Sequence, residues 1–145
     1  MSSHMDRQIT KIIHDAYTTK FSEHIDSDVL IVGAGPCGLT AGYLLSQQGF
    51  CVAILEKRLA PGGGIWGGGM GMNELVLEED VLDFLRELGI QYTDAGNNLY
   101  DVDAIALAAG LTFHAVQNGA VVLNQVGAED VCITEDRVTG IALNH

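Results

Sequence analysis

The sequence predicts an α/β fold with a parallel central sheet, and three observations carry that prediction. Val29-Leu30-Ile31-Val32 and Cys51-Val52-Ala53-Ile54-Leu55 are short unbroken apolar runs, the pattern of parallel strands covered on both faces. Between them residues 40–48 read as a helix stopped by Gly49, giving a strand–helix–strand unit whose crossover is right-handed. The 18 glycines cluster in two places instead of scattering. Clustered glycine marks backbone that must bend sharply or come close to something.

Taken in order, Met1-Ser2-Ser3-His4-Met5 resembles a cloning remnant and is set aside from fold reasoning. Residues 6–26 follow as an N-terminal segment in which Ile9, Ile12, Ile13, Ala16, Phe21 and Ile25 recur at three- and four-residue spacing. That is an amphipathic helix, whose stripe must cover the domain body or a neighbouring subunit. Residues 27–145 form the expected nucleotide-binding domain. Within it, residues 61–71 are an aperiodic glycine loop, and residues 78–88 read as a helix with an acidic first turn, closed by Gly89. Residues 90–100 are ambiguous, with a turn at Asn97-Asn98. Residues 103–117 read as a helix capped by Asp103 and ended by Asn118-Gly119, and residues 121–126 as a third core strand. Residues 131–134 and 138–143 read as a hairpin turning at Glu135-Asp136-Arg137. The sequence stops directly after this strand, without the closing helix of a doubly wound domain, and reads as truncated.

Composition narrows the partners. Lys plus Arg is 7 and Asp plus Glu is 19, a net charge of −12. Such a surface repels phosphate backbones and anionic lipid, so neither nucleic acid nor membrane is an expected partner. Any anionic ligand needs locally organised donors. Three cysteines without C-x-x-C spacing fit free thiols in a reducing cytoplasm, and no apolar run is long enough to span a bilayer.

Gly33-Ala34-Gly35-Pro36-Cys37-Gly38 satisfies the G-x-G-x-x-G pattern. The pattern alone is weak; here it follows a buried strand and opens a helix, and Glu56 ends the next strand 18 residues after Gly38. This is the Rossmann dinucleotide fingerprint. Gly33 permits the tight turn, Gly35 lets the backbone approach a pyrophosphate, and Gly38 lets helix and strand pack closely. The helix N-terminus supplies amide donors and partial positive charge. Glu56 is placed to accept from ribose hydroxyls, which disfavours a 2′-phosphate and therefore NADP. The G-A-G-P-x-G form fits FAD-type folds as well as NAD.

Seven glycines lie between Gly62 and Gly71, with Ile65, Trp66 and Met70 among them. A linker rarely carries such residues, so the loop reads as a ligand cradle in which Trp66 anchors the chain or covers a ring. Glu56-Lys57-Arg58 followed by Pro61-Gly62-Gly63-Gly64-Ile65-Trp66-Gly67-Gly68-Gly69-Met70 resembles the signature of thiamine thiazole synthases. Asp28 to Thr40, Glu129-Asp130-Val131 and Arg137-Val138-Thr139-Gly140 are similar to that family too.

The resemblance implies a Rossmann-like FAD/NAD(P)-binding fold with an added hairpin, in an enzyme that consumes NAD. It implies cleavage of nicotinamide and addition of glycine and sulfur to give an ADP-linked thiazole carboxylate. The sulfur comes from sulfide with Fe(II) in some members and from a protein cysteine in others. It also implies a homo-oligomer, commonly an octamer. Family nucleotide contacts fall on Cys37 (usually a serine), Glu56, Lys57, Gly64 and Ala128 (usually a valine). With the fingerprint, the cofactor-binding set is Gly33, Gly35, Pro36, Cys37, Gly38, Glu56, Lys57, Gly63, Gly64 and Ala128. The family's metal ligands, sulfur donor and glycine-holding arginine fall beyond His145, so no catalytic or metal residue is expected in this chain, and little synthase activity from it alone.

An FAD-dependent oxidoreductase fragment and a non-catalytic nucleotide-binding module are the alternatives. Cys37, at a helix start, reads as a small packing residue before a reactive thiol, and Cys51 and Cys132 as core thiols in strands. His4, His14, His24, His114 and His145 show no close metal spacing; His14 and His114 lie on predicted helices as packed or surface imidazoles. Glu78-Glu79 and Glu129-Asp130 read as helix-start and turn residues.

Overall fold

In the computed structural model, which describes residues 2–144, α1 (Ser2–Ser22) leads into β1 (Val29–Val32), α2 (Pro36–Gln47) and β2 (Val52–Glu56). Two 3-10 turns (Ile65–Gly67 and Gly69–Gly71) precede β3 (Glu74–Glu78), and a third (Glu79–Val81) enters α3 (Leu82–Glu87). The remainder is β4 (Thr93–Gly96), β5 (Leu99–Asp103), α4 (Ala104–Gln117), β6 (Val121–Asn124), β7 (Gly127–Thr134) and β8 (Arg137–Asn144). Met1 of the set-aside remnant and His145 lie outside the described residues.

The expected parallel sheet is present, in the order β1-β2-β6, with Val29 opposite Val52 and Ala53 opposite Val121. β2 is central and every residue of it is buried. Its side chains alternate between two apolar clusters, as the period of a strand requires. Val52 and Ile54 join Leu39 and Tyr43 of α2 with Ala108 and Leu111 of α4, so both helices cover one face. Ala53 and Leu55 join Val121, Leu123 and Val126, with Phe21, Ala128 and Ile141 packed against them. The hairpin β7-β8 and the end of α1 thus cover the second face.

β1 departs from the expectation of cover on both faces. Val29 and Ile31 pack on the helix side, but Leu30 and Val32 are exposed, because the hairpin does not reach this edge. A second sheet, β3-β5-β4, was not legible. Leu75 and Leu77 point inward while Val76 is exposed, a period-two pattern of only five residues, and the helix expected from residue 78 begins at Leu82 after a 3-10 turn. The ambiguous stretch became β4 and β5, joined as expected at Asn97-Asn98, both at positive φ. The third parallel strand ends at Asn124, and the hairpin turns on Glu135 and Asp136, with Arg137 already paired to Thr134. Glu129-Asp130 therefore lie in a strand, not a turn, beside a register shift.

Asp103 caps α4 as predicted, its Oδ1 accepting from the Ala106 amide at 2.6 Å. α1 takes in Ser2 to Met5 and stops at Ser22, short of Ile25; beyond it Ser27 Oγ donates to His24 O at 2.7 Å and Asp28 Oδ2 accepts from the Cys51 amide at 2.8 Å. Its apolar stripe is not covered by the domain body: Met5, Ile9, Ile12 and Ile13 are all exposed, and cover begins only at Phe21. No helix among the described residues is long and apolar enough to cross a membrane.

A polar cluster ties α2 to α3 and α4. The Tyr43 hydroxyl donates to Glu87 Oε1 at 2.6 Å, Gln47 Nε2 donates to the Tyr43 oxygen at 2.7 Å, and the His114 ring meets Tyr43 edge-on. The bond from Tyr43 holds the Glu87 carboxyl below its ordinary range. A carboxyl lowered on folding adds stability that is complete above the ordinary carboxylate pKa and is lost as pH falls through the folded value. Urea titrations from neutral to acidic pH should therefore show an acid slope that Tyr43→Phe and Glu87→Gln each reduce. An unchanged slope in both variants would assign the acid sensitivity elsewhere.

Candidate functional site

Gly33 ends β1 with φ of 97°, the left-handed turn that a side chain resists. Its amide still completes the ladder, donating to Leu55 at 2.8 Å. α2 then starts at Pro36, four residues earlier than expected. Proline suits that first helical position, since its fixed φ is helical and its missing N–H had no intrahelical partner to lose. Leu39 N–H donates to Gly35 O, so the amides of Cys37 and Gly38 precede the first intrahelical bond and no side chain caps them. The third glycine lets helix and strand pack closely, as expected, since a Cβ on Gly38 would stand 2.0 Å from the Gly33 carbonyl oxygen.

Gly35 is different. Its φ of −77° suits any residue, and a Cβ there would meet nothing within 4 Å. The fold does not demand a glycine at this point.

Glu56 lies against the turn, as the fingerprint reading requires, and is only 7% exposed. Its Oε2 accepts from the Ala34 amide at 2.8 Å and its Oε1 from the Arg58 amide at 2.8 Å. Sequence reasoning placed this carboxylate for a ligand and missed that it fastens the glycine turn to the end of β2. Each oxygen keeps a lone pair for a further donor.

The second glycine loop is fastened to the first. Gly62 N–H donates to Ala34 O at 2.6 Å, and Gly63, at φ 60°, would bring a Cβ 3.1 Å from Gly35 Cα. Trp66 acts as an anchor: its Nε1 donates to Pro61 O at 2.7 Å, while Ile65 is buried in the main core. Met70 is fully out in solvent at positive φ.

These pieces border a cleft of about 780 Å³, within the range of small-molecule sites. Of the predicted set, Gly33, Glu56, Lys57, Gly63, Gly64 and Ala128 line it. Gly35, Pro36, Cys37 and Gly38 do not; they stand beside it, half-buried or exposed at the start of α2. Arg58, Gln125, Glu129 and Asn144 also border the cleft and were not predicted. Gln125 had a signal, since it follows the carboxyl end of a parallel strand, where ligands gather. Asn144 had none, because only the hairpin register opposite Gly127 brings it here.

Of the three free thiols, Cys37 and Cys132 are exposed and Cys51 is half-buried, so Cys132 is not the core thiol expected. β7 turns it to the open side of the hairpin. His14 is exposed beside Asp15 and His114 is packed, its Nε2 meeting Leu88 O at 3.1 Å. No group of three potential metal ligands occurs among the described residues.

The Thi4 family model matches residues 10–145. The chain belongs to the Thi4 family. It is 45% identical over 139 residues to the thiamine thiazole synthase of Thermotoga maritima, a match covering 96% of this chain and 55% of that relative. The synthase of Thermococcus kodakarensis is 44% identical over 137 residues, covering 94% and 55%. This Thi4 chain thus spans about half the length of the curated relatives it matches. A crystal structure of THI4 from Thermovibrio ammonificans superposes with a TM-score of 0.91 at 39% identity, over 99% of this chain and 56% of that one. An L-proline dehydrogenase from P. horikoshii gives 0.66 at 15% identity and shares the Rossmann-type α/β fold.

The two fingerprint glycines make opposite predictions. Gly38→Ala should lower the thermal midpoint by several degrees, as overpacking by one methyl costs about 1–3 kcal/mol. Gly35→Ala should leave the midpoint unchanged or raise it by a few degrees, since at an unstrained position alanine lowers the entropy of the unfolded chain by about 0.4–1 kcal/mol. Equal effects would show that the turn geometry is misassigned.

Proposed function

We propose that this Thi4 chain provides the NAD-binding part of a thiamine thiazole synthase, with NAD as a substrate from which the ADP-linked thiazole carboxylate precursor of thiamine is made. The observation carrying this reading is the Glu56 carboxylate, held by the Ala34 amide at the floor of a cleft walled by both glycine segments. The adenosine half fits the cleft, with ribose hydroxyls donating to the free lone pairs of Glu56 and Lys57 beside them. The pyrophosphate then runs out over the Gly35 surface onto the uncapped Cys37 and Gly38 amides. A 2′-phosphate would face the same carboxylate, which selects NAD over NADP.

The work of this chain is to bind and orient. Helix-start amides hold the diphosphate without mobile side chains, and the second loop shields one side of the cleft. Glycine, sulfide or a protein cysteine as sulfur source, and Fe(II) belong to the whole-enzyme reading. Among the described residues no group of His, Cys, Asp and Glu side chains fits iron. By the same reading the protein works in the cytoplasm as a homo-oligomer, where a second copy covers the exposed stripe of α1.

Mass spectrometry of small molecules released by denaturing the purified chain should detect NAD or an adenylated thiazole. A flavin spectrum with FAD released would overturn the reading in favour of an oxidoreductase. In calorimetric titration NAD should bind and NADP should bind about tenfold more weakly or worse, roughly 1.4 kcal/mol. Gly35→Asp should remove NAD binding while the protein melts at the same temperature or higher, since a carboxylate at this N-cap position accepts from the Cys37 or Gly38 amides that the pyrophosphate would use. Undiminished binding by Gly35→Asp would sink the proposed pyrophosphate path.

A further inference from the structure

The carboxyl ends of β1, β2 and β6 lie side by side in that order, and each carries a different group. β1 ends in the glycine turn and the helix-start amides, and β2 in the Glu56 carboxylate. β6 ends in Asn124, which pairs with Glu56 in the parallel register, and Gln125 follows it. Ligands of open α/β sheets lie across such strand ends. With a diphosphate at β1 and a ribose at β2, the base falls one strand further along the row, about 4.8 Å, at β6.

Gln125 stands there in a conformation that its residue type rarely adopts. Its φ is 61°, a left-handed region that glycine, asparagine and aspartate enter more readily. Neighbouring bonds hold it in place. Gln125 N–H donates to Arg58 O at 3.2 Å, Asn124 Nδ2 to Leu59 O at 2.7 Å, and Val126 N–H to Glu56 O at 3.0 Å. Val126 is itself buried in the second apolar cluster. The turn is thus clamped to the segment after β2, and Gln125 lines the cleft. Among the described residues its side chain makes no hydrogen bond. Strained backbone that the surroundings enforce gathers at ligand sites.

The other side chains of the cleft lack the chemistry of a free carboxamide. Adenine sets an amino donor beside a ring-nitrogen acceptor, and a carboxamide meets both at once. Lys57 and Arg58 only donate, and the carboxylates of Glu56 and Glu129 only accept. Asn144 is the second carboxamide of the cleft, but its Nδ2 donates to Glu129 Oε1 at 3.3 Å.

We infer that the Gln125 carboxamide selects adenine in the bound dinucleotide, accepting from the exocyclic amino group and donating to the adjacent ring nitrogen. The inference rests on the nucleotide-binding reading and adds to it: Glu56 sets which ribose is accepted, and Gln125 sets which base.

Calorimetric titration of the 145-residue chain compares NAD with the dinucleotide in which unsubstituted purine replaces adenine, so that only the amino group is missing. Wild-type protein should bind the purine dinucleotide about tenfold more weakly than NAD. Gln125→Gly and Gln125→Ala should each bind the two ligands within about twofold of one another, because the lost amino group and the lost carboxamide are partners. Gln125→Gly should melt near the wild-type temperature, since glycine fits the positive φ. A purely structural role for Gln125 would weaken both ligands alike and leave their ratio unchanged. That result, in either variant, assigns base reading to a main-chain group and overturns the inference. Equal binding of both dinucleotides by the wild-type chain overturns it as well. Absence of NAD binding by the wild-type chain sinks the nucleotide-binding reading and this inference together, whereas NAD binding with an unchanged ratio in the variants sinks this inference alone.

Discussion

The site depends on one buried carboxylate. Taking an ionised carboxylate out of water costs several kcal/mol unless donors replace the solvent. For Glu56 the Ala34 and Arg58 amides do so, through charge-assisted bonds that are stronger than neutral ones. The consequence spreads through the loop system. Ala34, its amide held, offers its carbonyl to Gly62; Gly63 then seats on Gly35, and Ile65 enters the core. The end of β2, the turn after β1 and the second glycine loop are therefore one mechanical unit. A ligand binding there meets walls already in place, and the ordering cost is borne during folding.

That arrangement resolves a conflict in the composition. A chain of net charge −12 has no general attraction for a diphosphate. Amides at a helix start act only at close range, so the repulsive surface and the attractive site coexist. The close range is what the glycines provide. Lys57 and Arg58, two of only seven basic residues, follow directly after Glu56 at the same rim. They add positive charge where the anion would pass, and nowhere else does the glycine system meet two adjacent basic residues.

How much was legible in the sequence followed the range of the interactions. The β-α-β unit, the Asp103 cap and the helix stops at Gly49, Gly89 and Gly119 depend on neighbours within a few residues, and each stands as read. The β3-β5-β4 sheet was missed because its apolar alternation is short and the exposed Leu99, beside the inward Tyr100 and Val102, blurs the pattern on its central strand. The exposure of Leu30 and Val32 could not be read at all: a run of four apolar residues looks the same at a sheet's edge and at its centre. Six of the ten predicted site residues line the cleft, and the four at the helix start sit next to it. The double use of Glu56 stayed hidden, since nothing in the spacing distinguishes a carboxylate that holds a ligand from one that first holds its own turn.

The glycines themselves separate what the fold needs from what a ligand needs. Glycine in a folded chain carries an entropic penalty of about 0.5–1 kcal/mol against alanine, so each one calls for a reason. Gly33 has positive φ, while a Cβ on Gly62 would strike Trp66, one on Gly68 the backbone of Glu74, and one on Gly38 the backbone of Gly33. Folding explains all four. Gly35 and Gly64 have ordinary negative φ and open space where a Cβ would stand, so folding explains neither. Gly64 lines the cleft and Gly35 borders it at the helix start. Gly67 shares that freedom away from the cleft, so the case for a ligand rests on position: Gly35 and Gly64 flank one path, from Glu56 to the uncapped amides of α2. On the proposed reading their reason is the ligand that occupies the path, and an extended diphosphate between two nucleoside groups has the right shape and charge for it.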